Sequence, residues 1–426
     1  MTTQDHRVDA REWVPRLYRE NLNNGRATLG EMFGGHVEVE SSGAWLTTSD
    51  GEKYLNVGGY GVFLAGARHP AVIREVERQL RTHPVASRMF LEPTLARAAE
   101  ALVRITPAGL DRVHFSGSGA EAVETAIKIA RAGGRGHLIS MVNGYHGKTM
   151  GALSATAKDM FQKPFRPLLA NVTHVPFGDA GALAEALAAH PDDACVIVEP
   201  VQGEAGVVIP PAGYLRDVAA LCARFGALFV LDEIQTGFGR LGAWWGADLE
   251  GVVPDVLLSG KGLGGGVLPV AATIATAEAF GVFDRDPFLH TATFSGSPLA
   301  MAAVCGAVAA IEEDGLIERT ARLGAQLLPE IDRIVRHHFG ELVGDVRGVG
   351  LLIGVEFTLP ALAGELLIDL VEHKVIANHS LNSSRVLRLT PPAVLSDSDV
   401  LVLLDALDRA ARSTAARYQL PKGAQA

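Results

Sequence analysis

Little in this 426-residue chain suits it to metals, membranes or nucleic acid. Only three cysteines occur, Cys195, Cys222 and Cys305, each alone among apolar neighbours. Without Cys-x-x-Cys or His-x-x-x-His pairs, no metal site is expected. The cysteines read as small core fillers in a reducing compartment, which points to the cytoplasm. No apolar run reaches the ~18 residues of a membrane span. The opening residues, Met1 to Arg7, lack the apolar core of a signal peptide. Net charge is −10 with no basic block, so nucleic acid is not an expected partner. What is plentiful is apolar: 48% hydrophobic residues and a mean hydropathy of +0.19, over a length that accommodates two domains.

Residues 36–57 alternate with a period of two, broken by Ser41-Ser42-Gly43 and Ser49-Asp50-Gly51-Glu52, which predicts a hairpin and a further strand. A glycine-rich loop, Gly58-Gly59-Tyr60-Gly61, follows. A helix is expected over Ala71–Leu80, with Val72, Ile73, Val76 and Leu80 on its buried face. From Asp111 onward short apolar runs alternate with helices: Val113–Phe115, Leu138–Val142, Cys195–Val198, Leu228–Leu231 and Val256–Leu258. Such runs predict an α/β unit built on a mostly parallel sheet covered on both faces. Beyond the helix Leu299–Glu313, the strand Leu351–Phe357 and helices over Leu362–His373 and Asp397–Tyr418 predict a smaller α+β unit. The tail from Pro421 is expected to fray.

Ligands of parallel sheets bind at the carboxyl ends of the strands, so the residues there carry the chemistry. Gly117-Ser118-Gly119-Ala120 opens a helix after the first strand, where backbone N–H groups can receive a phosphate; the bland alternative is an ordinary helix cap. The same stretch fits a dinucleotide fingerprint formally, but the acidic residue expected roughly 20 positions on is missing. Gly147-Lys148-Thr149 imitates the end of a phosphate loop, with Val142 in place of the leading glycine. Tyr145 could stack on a flat ring or simply pack. Asp232 ends a buried strand and needs a partner, either a salt bridge or a protonated ring nitrogen. Lys261 ends the next strand among glycines; poor solvation there would free its amine for attack on a carbonyl, while a surface lysine is the alternative. An anion cradle, a ring stacker, an acid and a lysine in this order are what pyridoxal 5′-phosphate requires.

At these residues the chain resembles the class III pyridoxal-phosphate aminotransferases, over nearly its whole length. The resemblance is carried by Ser118-Gly119-Ala120-Glu121-Ala122, Tyr145-His146-Gly147, Glu199-Pro200-Val201-Gln202-Gly203-Glu204, Leu231-Asp232-Glu233-Ile234-Gln235-Thr236-Gly237, Ser259-Gly260-Lys261 and Thr293-Phe294. Within the class it is most similar to the putrescine aminotransferases, through Gly58–Phe63, Gly151–Lys158, Lys163-Pro164-Phe165 and Phe288–Thr291. Ornithine and acetylornithine aminotransferases come next.

The resemblance implies a fold type I transferase: an N-terminal segment, residues 1–58, packing with the small domain, a large cofactor-binding domain, 59–310, and a C-terminal small domain, 311–426. It implies that Lys261 holds the cofactor covalently and shuttles protons, and that Asp232 pairs with the ring nitrogen. Gln235 would contact the ring hydroxyl side, Tyr145 would stack on the ring, and Ser118, Gly119 and Ala120 would cradle the phosphate. Glu199 would stand as a supporting carboxylate, and Thr293 would reach the phosphate of a neighbouring subunit in a homodimer with interface active sites. Arg388, in Val386–Pro392, would clamp a substrate carboxylate bidentately, with Glu204 as the residue that closes on it. Ala120 stands where the family often has Ser or Thr, so only its N–H is offered to the phosphate. The implied reaction moves the terminal amino group of a diamine or ω-amino acid to or from 2-oxoglutarate or glutamate. Amination of a larger aldehyde, free or carrier-tethered, stays open beside it, as does, more remotely, a nicotinamide dehydrogenase.

Overall fold

The computed structural model describes residues 9–418. Both Met1–Arg7 and the tail from Pro421 lie outside them. The centre is a seven-stranded sheet, in spatial order Leu110–Ser116, Ala271–Thr276, Val256–Ser259, Leu228–Asp232, Ala194–Val198, His137–Met141 and Val172–Val175. The four pairings from Val256–Ser259 to Val172–Val175 are parallel, and Ala271–Thr276 runs antiparallel to both its neighbours. The sheet is therefore mostly parallel, as its apolar runs predict. Leu231 and Leu257 face each other in register and are fully buried. Each such side chain stabilises the fold by about 1.5–3 kcal/mol relative to exposure.

Helix Gly119–Ala132 shows why this sequence forms a helix here. Ser118 has extended backbone, and its hydroxyl accepts from the Glu121 N–H at 3.3 Å, while the Glu121 carboxylate reaches back to the Gly117 N–H at 2.9 Å. That satisfies donors a helix start leaves free. Ala122, Val123, Ala126, Ile127 and Ala130 bury one face, and the helix stops at Gly133.

The C-terminal part forms an antiparallel sheet, Val343–Val349, Leu352–Phe357, Ser383–Leu389 and Asn378–Ser380 in spatial order. The N-terminal strands Glu38–Ser42, Trp45–Thr48 and Lys53–Asn56 make a third sheet, joined in parallel by Val375–Ile376.

Several expectations need correction. Strand Glu38–Ser42 runs through Ser42, which pairs with Trp45, so the turn falls at Gly43-Ala44. Helix Pro70–Thr82 buries Val72 and Gln79 but leaves Leu80 57% exposed. Gln79 takes the inner position because its amide is satisfied: it accepts from the Thr94 hydroxyl at 3.0 Å and donates to the His83 carbonyl at 2.7 Å. Helices Pro93–Arg104 and Leu316–Phe339 and strands Val172–Val175 and Ala271–Thr276 have no counterpart in the sequence reading.

Candidate active site

The parallel strands deliver their carboxyl ends to one cleft of about 440 Å³. Its wall includes Gly119, Ala120, Tyr145, Glu199, Glu204, Asp232, Gln235 and Lys261. Eight of the residues singled out in the sequence are thus brought together.

Lys261 follows the Val256–Ser259 strand with φ 44, a left-handed backbone that is costly for a residue with a Cβ. Gly61 faces it: a Cβ built there would stand 3.7 Å from the Lys261 Cδ. Burial pushes the Lys261 amine below the usual lysine value; Glu204 and Asp232 oppose that shift and Arg388 adds to it.

Asp232 is 3% exposed. Its Oδ1 accepts from the Ile234 N–H at 3.1 Å and its Oδ2 meets His146 Nδ1 at 2.6 Å. The loop carrying His146 is itself fixed, since the His146 N–H donates to Thr156 Oγ1 at 2.9 Å and that hydroxyl donates to the Gly147 carbonyl at 2.9 Å. Burial opposes a charged His146 ring, but the hydrogen bond and charge of Asp232, with Glu199 behind, outweigh it and raise its pKa. Glu199 accepts the Tyr145 N–H at 2.9 Å, and burial lifts its carboxyl to about 7.

Arg388 is fully buried, with Nη2 2.8 Å from Glu204 Oε1. None of Nε, Nη1 and Nη2 makes a hydrogen bond among the described residues, so Nη2 meets Glu204 as an ion pair by distance. Burial would raise the Glu204 carboxyl, yet the Arg388 charge and the Leu381 N–H hold it below the usual range. A guanidinium fork with free donors has the geometry that suits planar oxygens.

Three predicted residues do not line this cleft: Arg388, which is fully buried against Glu204, and Ser118 and Thr293. Ser118 caps its helix, its hydroxyl committed to Glu121. Thr293 is exposed on the segment 285–297 and does not line this cleft; its carbonyl accepts from Arg88 at 3.2 Å. Conversely, His146, Tyr60, Lys148, Ile234 and Leu381 line the cleft without having been given a role from sequence. His146 was readable in principle, as the neighbour of Tyr145 in a quoted stretch. Leu381 sits on the distant small sheet, and nothing local marks it.

Residues 31–411 match the family model of the class-III aminotransferases. The chain belongs to that family. As a class-III aminotransferase it uses pyridoxal phosphate. Its structure is similar to that of ornithine aminotransferase from Toxoplasma gondii, at 29% identity and TM-score 0.89, covering 96% of this chain and 97% of that one. A second structure of that enzyme, with PLP at partial occupancy in its active site, aligns at 29% identity and TM-score 0.84 over 95% and 99% of the two chains. Acetylornithine aminotransferase from Elizabethkingia anophelis is similar at 27% identity and TM-score 0.81, over 95% and 99%. The fold type I architecture expected from the sequence is thereby shown, and a nicotinamide has no place in the family's chemistry.

The cleft of this aminotransferase fits the cofactor. An amine of lowered basicity and a buried acid stand in one wall, and a helix start made of Gly119 and Ala120 offers backbone N–H groups. Gln235 brings a buried Nε2 that no described residue accepts. A bound group with an anionic end and ring acceptors would satisfy these donors.

Proposed function

We propose that this aminotransferase moves the terminal amino group of a diamine or ω-amino acid to or from 2-oxoglutarate or glutamate. The observation that carries the reading is the buried Glu204–Arg388 pair at 2.8 Å, with guanidinium donors left over. With a substrate whose inner end is apolar or cationic, Glu204 neutralises Arg388. With a 2-oxo acid, Glu204 yields, and Arg388 takes the carboxylate. One site thus serves two unlike substrates in turn. The similarity to ornithine and acetylornithine enzymes supports the same class of amine donor.

When bound, pyridoxal phosphate supplies a carbonyl conjugated to an electron-accepting ring, which weakens the substrate Cα–H bond and takes up the amino group. Lys261 holds the cofactor in the resting enzyme, and its Nζ then takes and returns the Cα proton, a task its lowered basicity suits. Asp232, anchored by His146 and the Ile234 N–H, keeps a proton on the ring nitrogen. Tyr145 covers the ring face, Gln235 donates to the ring oxygen, and Gly119 and Ala120 take the phosphate. Glu199 supports Tyr145 through its N–H.

The same reading includes a homodimer. Thr293 is exposed beside the exposed apolar residues Phe288, Leu289 and Phe294, and Arg88 ties its segment to the one carrying exposed Met89, Phe90 and Leu91. These features support a subunit contact through which Thr293 serves the neighbour's phosphate.

The test is glutamate formation from 2-oxoglutarate with putrescine, ornithine, acetylornithine and 4-aminobutyrate as donors. Turnover with at least one is expected; none with any of them would refute the substrate assignment.

A further inference from the structure

The Glu204 carboxylate is held from a second side besides that of Arg388. Strands Asn378–Ser380 and Ser383–Leu389 are joined by the two-residue turn Leu381-Asn382, with Ser380 paired to Ser383. The Leu381 N–H donates to Glu204 Oε2 at 3.0 Å, and the Asn382 N–H donates to the Glu204 carbonyl at 2.9 Å. Each Glu204 carboxylate oxygen therefore has its own partner, Arg388 on one and the turn on the other.

The turn is in turn pinned by two loops of the large sheet. Asn382 Nδ2 donates to the Asn143 carbonyl at 2.7 Å, just before Tyr145, and Lys158 Nζ donates to the Asn382 carbonyl at 2.8 Å. Asn382 is 8% exposed, so this hydrogen bond is largely shielded from water. For Arg388 to be released, Glu204 must leave both the guanidinium and the Leu381 N–H. How firmly the turn sits decides how often that happens.

We infer that the Leu381-Asn382 turn is the latch of the Glu204 gate, and that Asn382 and Lys158 are positioning residues setting how readily Arg388 is free for a substrate carboxylate. The inference rests on the reading of Glu204 and Arg388 proposed above.

Removing either side chain takes away one hydrogen bond holding the turn, which shifts the open fraction by about three- to tenfold. The probe is glutarate, a dicarboxylate that cannot be aminated, titrated calorimetrically into the cofactor-loaded enzyme. Glu204→Ala is measured first: if it leaves the glutarate Kd unchanged, the gate itself is refuted, and the latch with it. If it tightens glutarate, Asn382→Ala and Lys158→Met are each expected to tighten it three- to tenfold in the parent protein and to add nothing in the Glu204→Ala background. Two substitutions at separate points on the turn guard against a folding defect in one, and thermal unfolding identifies such a defect. Unchanged affinity in both folded variants overturns the latch, as does an equal gain with and without Glu204.

Discussion

His146 Nδ1 lies 2.6 Å from Asp232 Oδ2, and both side chains are closed to solvent. Because Oδ1 is already taken up by the Ile234 N–H, the imidazole on Oδ2 fixes the carboxylate in one plane. Losing it would leave a buried oxygen unpaired, a cost of about 1–3 kcal/mol. His146→Leu is expected to lower kcat about ten- to a hundredfold while changing the KM for 2-oxoglutarate little, since Arg388 is untouched. His146→Gln, which can still donate, should recover part of the rate. Steady-state kinetics on the three proteins checks this; an unaltered kcat in His146→Leu would remove the imidazole from the catalytic argument.

Arg388 offers a planar fork that an ammonium cannot reproduce. Arg388→Lys should raise the KM for 2-oxoglutarate about tenfold or more, and change kcat/KM for the amine donor less than about threefold. An equal loss on both sides would mean that Arg388 does not discriminate between them.

Glu199 gives a pH dependence of stability. Its carboxyl, normally near 4.5, is lifted by burial to about 7. Between those values the folded chain holds a proton that the unfolded chain releases, so this group's contribution to stability falls as pH rises from 4.5 to 7. Glu199→Gln removes the titration and keeps an acceptor for the Tyr145 N–H. Urea unfolding of the cofactor-free protein at pH 5 and pH 8 should show a smaller loss in the variant than in the parent, by about 1–3 kcal/mol. Equal losses would place the Glu199 pKa near its ordinary value.

Much of the large sheet was legible because its strands are buried on both faces and read as unbroken apolar runs ending in Tyr145, Glu199, Asp232 and Lys261. Strand Val172–Val175 was harder, since three of its four residues are only partly buried and a histidine interrupts it. Ala271–Thr276 is alanine-rich and gives no strong strand pattern, though its burial is nearly complete. Leu80 and Gln79 exchanged places because hydrogen bonding to Thr94 and His83, not hydropathy, decides which is inside. Around the cleft, Tyr145, Asp232 and Lys261 were found at strand ends and Arg388 of the small sheet through the resemblance, while the turn residues Leu381 and Asn382 were not. Leu381 and Asn382 reach Glu204 through tertiary packing alone, across 177 positions in the case of Leu381.

The central claim is that Lys261 carries the cofactor. Borohydride reduction of the purified enzyme, followed by peptide mass mapping, tests it in one measurement. The phosphopyridoxyl group is expected on the peptide containing Lys261 and to be absent from a Lys261→Ala variant. Attachment at another lysine, or normal turnover by the Lys261→Ala protein in the same preparation, would contradict it.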